Sequence, residues 1–281
     1  MNYRHAFHAG NFADVIKHIA LVAILLHLRR KVKPFCVIDT HAGGGVYDLG
    51  SSEAARTGEA AEGISRIAAI GDDPQLPESL KTYLDGVRRE GEGRYPGSAR
   101  IAACLLRPQD RLVAIEKHPE AARTLRRSLA AFPNVRTVAA DGYARLAALL
   151  PPRERRGVIL IDPPYEADDE FARVGDLLAL AHSRFATGIY VAWYPIKSPA
   201  AIDALYGELG ANGVAPVLRL EIETGRAPDA DKERLSAAGL LVINPPFGFD
   251  EEMRSVAAVL APLLGRRTRE PAAITLVSTP A

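Results

Sequence analysis

The sequence predicts an α/β fold, a mainly parallel sheet flanked by helices, with a small helical subdomain inserted near its start. Three observations predict it. Short apolar runs bounded by Gly, Pro and Asp recur along the 281 residues, and stretches of helical periodicity separate them. Several of the runs end on a glycine turn or a carboxylate, at the strand tips where open parallel sheets bind ligands. The length suits one large domain spanning residues 1–281.

Taken in chain order, a helix is expected over residues 13–28 and the first strand over 35–38, where apolar residues run into Asp39-Thr40-His41-Ala42-Gly43-Gly44-Gly45. Residues 46–95 then separate this turn from the next helix, whereas βα loops usually take about 2 to 6 residues. That span is an insertion. Its segments 52–56, 58–70 and 76–89 have helical patterns and form a small subdomain beside the mouth of the site. A helix over 98–106 leads to a strand over 112–115 ending at Glu116, and a helix over 119–131 leads to a strand over 135–138 ending at Asp141-Gly142. After a helix over 142–150 comes the strand 158–161, which runs directly into Asp162-Pro163-Pro164-Tyr165. A helix over 171–183, a strand over 189–192, a helix over 199–211 and strands over 217–222, 240–243 and 274–277 complete the pattern.

Composition narrows the function. Lys plus Arg number 35 and Asp plus Glu 34, so no global excess of positive charge announces nucleic acid, and any basic patch is local. Three clusters are candidates, although a charge run is most often only a solvated face: Arg29, Arg30, Lys31 and Lys33; Arg123, Arg126 and Arg127; Arg153, Arg155 and Arg156. Cys36 and Cys104 both lie among apolar residues and read as core residues in a reducing compartment. The apolar run 19–26 is far short of the roughly 20 residues a membrane helix needs. A cytoplasmic protein with no membrane partner is expected.

The fourth strand tip carries the sharpest chemistry. Two successive prolines stiffen the backbone and remove two donors, leaving carbonyls free to accept hydrogen bonds. The Asp162 carboxylate and the Pro163 carbonyl can each take one N–H of an exocyclic amine on a flipped nucleobase, while Tyr165 stacks on the ring. An adenine N6 lone pair is delocalised and weakly nucleophilic, so two such hydrogen bonds localise and aim it. An ordinary carboxylate does not deprotonate a neutral amine in advance; its role is orientation, then acceptance of the proton the methylated amine sheds. A plain structural reading, prolines ending a strand, competes with this. The succession of glycine turn, Glu116, Asp141 and Asp162 on strands one to four favours the chemical one.

At this point the chain resembles the class I S-adenosylmethionine-dependent methyltransferases, a Rossmann-like fold, and Asp162-Pro163-Pro164-Tyr165 is similar to the motif of those that act on exocyclic amines. A closer resemblance runs nearly end to end. Tyr3-Arg4-His5-Ala6-Phe7-His8-Ala9-Gly10-Asn11, Ala13-Asp14-Val15, Lys17-His18, Asp39-Thr40-His41-Ala42-Gly43, Arg56-Thr57-Gly58-Glu59, Tyr95-Pro96-Gly97-Ser98 and Phe185-Ala186-Thr187-Gly188-Ile189-Tyr190 are similar to segments of the RlmJ family, bacterial 23S ribosomal RNA adenine-N6 methyltransferases. The resemblance implies S-adenosylmethionine as cofactor, 23S ribosomal RNA as partner, and N6 of one adenine, adenine 2030, as acceptor. It places His18, His41, Ser98, Glu116, Asp141 and Gly142 at the cofactor, with Lys17 adjacent, Asp162 as the catalytic group, and Tyr3 against the RNA. The turn Gly43-Gly44-Gly45 departs from a family variant with Ala in the middle, and little consequence is expected.

Other readings stand beside this one. Asn244-Pro245-Pro246-Phe247 also follows an apolar strand, and Asn can serve in amine methyltransferases, but it comes after too many strands to face Gly43, Glu116 and Asp141. His5, His8, Asp14 and His18 lack a paired second ligand motif, so no metal is expected. Trp193 and Tyr194 read either as core or as lining of a base pocket. An N6-adenine or N4-cytosine DNA methyltransferase is the alternative activity, though only residues 46–95 could supply a target-reading domain. A binding protein that kept the fold and lost turnover is the third reading, against which the intact Glu116, Asp141 and Asp162 argue. A monomer is expected.

Overall fold

The structure is a computed structural model describing residues 4–71, 73–197, 199–214, 216–225, 235–265 and 272–278. The strands are β1 (Cys36–Asp39), β2 (Val46–Asp48), β3 (Arg94–Pro96), β4 (Arg111–Glu116), β5 (Val135–Ala139), β6 (Gly157–Ile161), β7 (Ile189–Pro195), β8 (Val217–Glu223), β9 (Ala237–Ile243) and β10 (Ala273–Ser278). The helices are α1 (Phe12–Arg29), α2 (Ser52–Thr57), α3 (Glu59–Glu62), α4 (Ile64–Ile67), α5 (Glu78–Arg89), α6 (Ser98–Leu105), α7 (Pro119–Ser128), α8 (Gly142–Leu146), α9 (Glu170–Arg184), α10 (Pro199–Ala211) and α11 (Phe249–Leu264).

Eight strands form one sheet in the order β10-β8-β9-β7-β6-β1-β4-β5. β6, β1, β4 and β5 pair in parallel, as do β6 and β7, while β9 runs antiparallel between β7 and β8. The eight expected strands are those of this sheet, each within about three residues of its expected bounds. The central ones were readable because strands covered on both faces become nearly continuous apolar runs, and β1, β6 and β9 are buried along their whole length. One face packs on α1, α6 and α11, the other on α9 and α10. From β1 the chain steps outward to β4 and β5, then returns to β6 on the other side of β1. The strand order therefore reverses between β1 and β6, and open α/β sheets form their ligand crevice at that point.

α1 is buried on nearly every side, because the inserted segment covers the flank that solvent would otherwise reach. Asn11 caps it, its side chain accepting from the Asp14 N–H at 2.8 Å. Ile64, Ile67, Leu80, Tyr83 and Leu84 of the inserted segment join the same apolar core as α1. The segment opens and closes on a short antiparallel pair, β2 with β3, that had no sequence signal; three-residue strands are too short for periodicity.

Residues 58–70, expected as one helix, break at Gly63. A Cβ there would lie 2.2 Å from the Gly10 carbonyl oxygen and 2.5 Å from the Asn11 carbonyl carbon, and the Ile64 N–H donates to that Gly10 oxygen at 2.8 Å. Packing onto the N-terminal segment, not local propensity, splits the helix. Because backbone is the obstacle, Gly63→Ala is expected to cost about 3 kcal/mol of stability, the upper end of overpacking penalties, measured by urea denaturation. A loss below half of that would mean the two segments do not pack this closely. Cys104, expected in the core, is instead exposed on the outer side of α6.

Candidate active site

The tips of β1, β4, β5 and β6 open into one cavity of about 490 Å³, a size ordinary for a small-molecule site. Lys17, His18, His41, Ser98, Glu116, Asp141, Gly142 and Asp162, scattered over 145 residues of sequence between Lys17 and Asp162, all line it. Tyr3 lies outside the described residues.

The β1 tip is held by its own polar groups. Asp39 is buried, accepting from the Ser98 hydroxyl at 2.6 Å and from the His41 N–H at 3.3 Å. Burial pushes its carboxyl up to about 7, against the opposing bond from Ser98. Burial likewise pushes the His41 imidazole down to about 4, so it is neutral at pH 7, with Nδ1 2.8 Å from the Thr40 hydroxyl oxygen. Glu116 at the β4 tip ties down the glycine turn, accepting from the Gly43 N–H at 2.9 Å and the His118 N–H at 2.6 Å. Gly43 itself sits at φ +60, a conformation that favours glycine. Asp141 caps α8 through the Tyr143 and Ala144 N–H groups and accepts from Lys117 at 2.8 Å. Partial burial opposes its charge, but Lys117 and these amides outweigh it and hold the carboxyl below its usual value. Next to it, a Cβ at Gly142 would lie 2.2 Å from the Thr40 carbonyl oxygen, so the β1 and β5 tips touch only because this residue is glycine.

The β6 tip meets α1. Lys17 Nζ donates to Asp162 Oδ2 at 2.5 Å and lies 2.7 Å from Asp14 Oδ1, while Asp14 Oδ2 lies 3.0 Å from His5 Nε2. Burial opposes the Lys17 charge, but Asp14 and Asp162 outweigh it and raise the ammonium above its usual value. For Asp14, burial opposes ionisation, yet His5, Lys17 and His18 hold its carboxyl well below the usual range. The sequence reading placed Lys17 beside the cofactor; its direct partner in the structure is Asp162. The sequence groups Asp14 and His5 with His8 and His18 as residues packed around a cofactor or RNA rather than a metal, and it does not foresee their link to Asp162. The available signal was the spacing Asp14, Lys17, His18, which puts three ionisable groups on one face of a helix. His18 is buried, its imidazole pushed by burial down to about 3, with Nδ1 2.8 Å from the Tyr95 hydroxyl.

Within the Asp-Pro-Pro-Tyr turn, Pro163 keeps a free carbonyl and Tyr165 departs from its expected role. Pro163 is buried, and among the described residues nothing donates to its carbonyl. Tyr165 does not line the cavity. Its backbone is left-handed at φ +50, which turns the ring onto Phe171 and Trp193 at centroid distances of 4.8 and 5.6 Å. Its hydroxyl donates to the Trp193 carbonyl at 2.8 Å, so here it braces the turn instead of presenting a stacking face.

Asn244 lies at the opposite end of the sheet, because β9 runs antiparallel and Ile243 pairs with Tyr190 near the start of β7. Its side-chain amide donates to the Ala186 and Gly188 carbonyls at 2.7 and 2.8 Å. Asn244→Ala is expected to cost about 2 kcal/mol of stability through these bonds while leaving methyl-transfer kinetics unchanged. A variant folded at parental stability but inactive would reverse the assignment.

Eight carboxylates and four Lys or Arg stand among the cavity-lining residues, an environment that suits a cation. Glu116 and Asp141 put acceptors on neighbouring strands for hydroxyl and amine donors, and Gly142 allows close approach. S-adenosylmethionine, a sulfonium with a ribose and an adenine, matches that donor set. Among the described residues no group of His, Cys, Asp or Glu is set to hold a metal ion, and no helix is long and apolar enough to cross a membrane.

A mainly parallel sheet with an antiparallel strand beside β7, a glycine turn after β1 and acidic tips on β4, β5 and β6 define a class I methyltransferase fold. The profile of the family described as "Ribosomal RNA large subunit methyltransferase D, RlmJ" matches residues 32–273. The chain belongs to this family. It is similar to the "Ribosomal RNA large subunit methyltransferase J" of Escherichia coli (strain K12), 44% identical over 91% of each chain. The protein of the same description from Haemophilus influenzae is 39% identical over 94% of each. A crystal structure of a Legionella pneumophila protein superposes with a TM-score of 0.86 at 33% identity, covering 96% of this chain and 98% of that one.

Proposed function

We propose that this chain transfers the methyl group of S-adenosylmethionine to the exocyclic N6 of one adenine in 23S ribosomal RNA, the adenine at position 2030. Membership of the family supports ribosomal RNA as the substrate. The observation that carries the chemistry is Asp162 at the cavity mouth: Lys17 occupies Oδ2, and among the described residues nothing bonds Oδ1. The cofactor supplies an electrophilic methyl group on its sulfonium. Oδ1 and the Pro163 carbonyl each accept one N–H of the amine, which localises the lone pair and directs it inward. Lys17 holds the carboxylate in one orientation, so little reorganisation is needed when the base arrives. After transfer, the surplus proton of the methylated amine passes to Oδ1, with Lys17 compensating Oδ2 until solvent takes the proton. Glu116 accepts from ribose hydroxyls and Asp141 from the cofactor's adenine amine.

The base must leave its stack to reach Asp162, at a cost of a few kcal/mol. Offering labelled S-adenosylmethionine with unmodified 23S RNA, intact large subunits and duplex DNA side by side tests the reading. Label recovered from RNA as N6-methyladenosine is expected, and label in DNA alone defeats it.

A further inference from the structure

The two ends of the sheet carry opposite charge. At the Asp162 end, carboxylates outnumber Lys and Arg among the cavity-lining residues by eight to four. At the other end, the loops 29–33, 107–111 and 153–156, which lead into β1, β4 and β6, lie together. They hold nine Lys or Arg against two carboxylates, in a chain whose formal charge is +1.

Two of these cations build the surface and do not supply its surplus. Arg107 forks onto Asp110 and donates to the carbonyls of Arg29, Lys31 and Lys33, while Arg156 donates to those of Leu28 and Lys33. Their guanidinium groups lie 5.5 and 6.0 Å from the centroid of the Phe35 ring. Together they satisfy the carbonyls left open at the C-terminal end of α1, so further cations are not needed there. Arg29, Arg30, Lys31, Lys33 and Arg155 are all exposed, and among the described residues none pairs with a carboxylate. Arg155 holds a left-handed backbone at φ +52, a strained conformation for a long side chain, at the tip of its loop. The positive field reaches inward: His27 on α1 is held below its usual value by partial burial and then by Arg30, Arg156 and Lys31.

We propose that this end of the sheet is a second RNA contact, gripping backbone phosphates of a structured segment that flanks the target base. The inference rests on the activity proposed above. An acidic cavity mouth repels phosphate and admits a flipped base, so the electrostatic part of RNA affinity comes from elsewhere, and these loops bring five exposed cations without carboxylate partners together. The two ends are roughly 20 Å apart, the rise of a six-residue strand. The contact is blind to sequence, because phosphates position RNA without reading it.

The test uses Arg29→Gln/Arg30→Gln/Lys31→Gln/Lys33→Gln and the milder Lys31→Gln/Lys33→Gln, in the full chain. Binding of a multi-helix 23S fragment and of a short hairpin around the target base is followed by fluorescence anisotropy across a salt series. Each lost phosphate contact flattens the slope of log K against log salt by about 0.7 to 0.9. The slope for the long fragment is therefore expected to drop by about 3 in the quadruple variant and about half that in the double, with Kd weakened at least about tenfold in the quadruple. Binding of the hairpin and of S-adenosylmethionine stays unchanged. An unchanged slope for the long fragment overturns the proposal, and so does equal weakening for both RNAs. Should the quadruple variant not fold, the double variant decides. Anisotropy needs no turnover, so failure of the parent chain to methylate RNA overturns the activity reading and leaves this measurement intact.

Discussion

Asp162→Ala is expected to lower the methyl-transfer rate at least about a thousandfold, which corresponds to about 4 kcal/mol of transition-state stabilisation. Removing one preorganised partner from a dry site typically costs a hundred- to a thousandfold, and in the proposed reaction the same group also receives the product's proton. Lys17 keeps its second partner, Asp14, at 2.7 Å, so the variant should still fold and bind S-adenosylmethionine within a few-fold of the parent. Asp162→Asn retains one acceptor oxygen and the shape of the turn but loses the charge. It should fall between parent and alanine variant. Single-turnover methylation of RNA at saturating cofactor, with cofactor affinity from calorimetry, separates chemistry from binding. An alanine variant that turns over at the parental rate would remove Asp162 from the reaction.

Lys17→Met is expected to cost about 3 to 5 kcal/mol of stability and to abolish activity. Methionine fills the volume, but Asp14 and Asp162 are left facing one another without the ammonium, and Asp14 is only 2% exposed. The pH dependence identifies the mechanism. In the parent, the raised value of Lys17 contributes stability that is fully present below its unfolded pKa of about 10.4 and is lost as pH rises through the folded value. The depressed value of Asp14 contributes stability present above its unfolded pKa of about 3.9 and lost as pH falls through the folded value. In the variant Asp14 keeps His5 at 3.0 Å but loses the ammonium, so burial moves its carboxyl up from the parental value. Its deficit is therefore largest at neutral pH and narrows as the solution is acidified towards about pH 5. Urea denaturation of both proteins at pH 7 and pH 5 measures this, and a difference that does not change with pH would show that lost packing, not lost charge, is responsible.

Other parts of the molecule divide by the range over which their causes act. β1, β4, β6, β7 and β9 were readable because two-sided burial writes itself into consecutive residues, and Glu116, Asp141 and Asp162 were readable because each stands at a strand end or within two residues of one. The hairpin of β2 with β3 carried no signal at three residues per strand, and the break at Gly63 comes from the approach of Gly10, far away in sequence. Tyr165 shows the limit at a single residue. Its type suggested a stacking surface, and a left-handed backbone angle turned it onto Phe171 and Trp193.

By itself, then, the sequence determined the fold class, the order of the strands' acidic tips and the motif proposed to accept an amine, because these depend on residue type and local period. The tertiary structure alone decided that Lys17 on the first helix grips Asp162 from 145 positions away, and that the basic loops gather at the end of the sheet remote from the cavity. Charge acts through space at distances of a few ångströms, and linear order does not record which side chains will share that space.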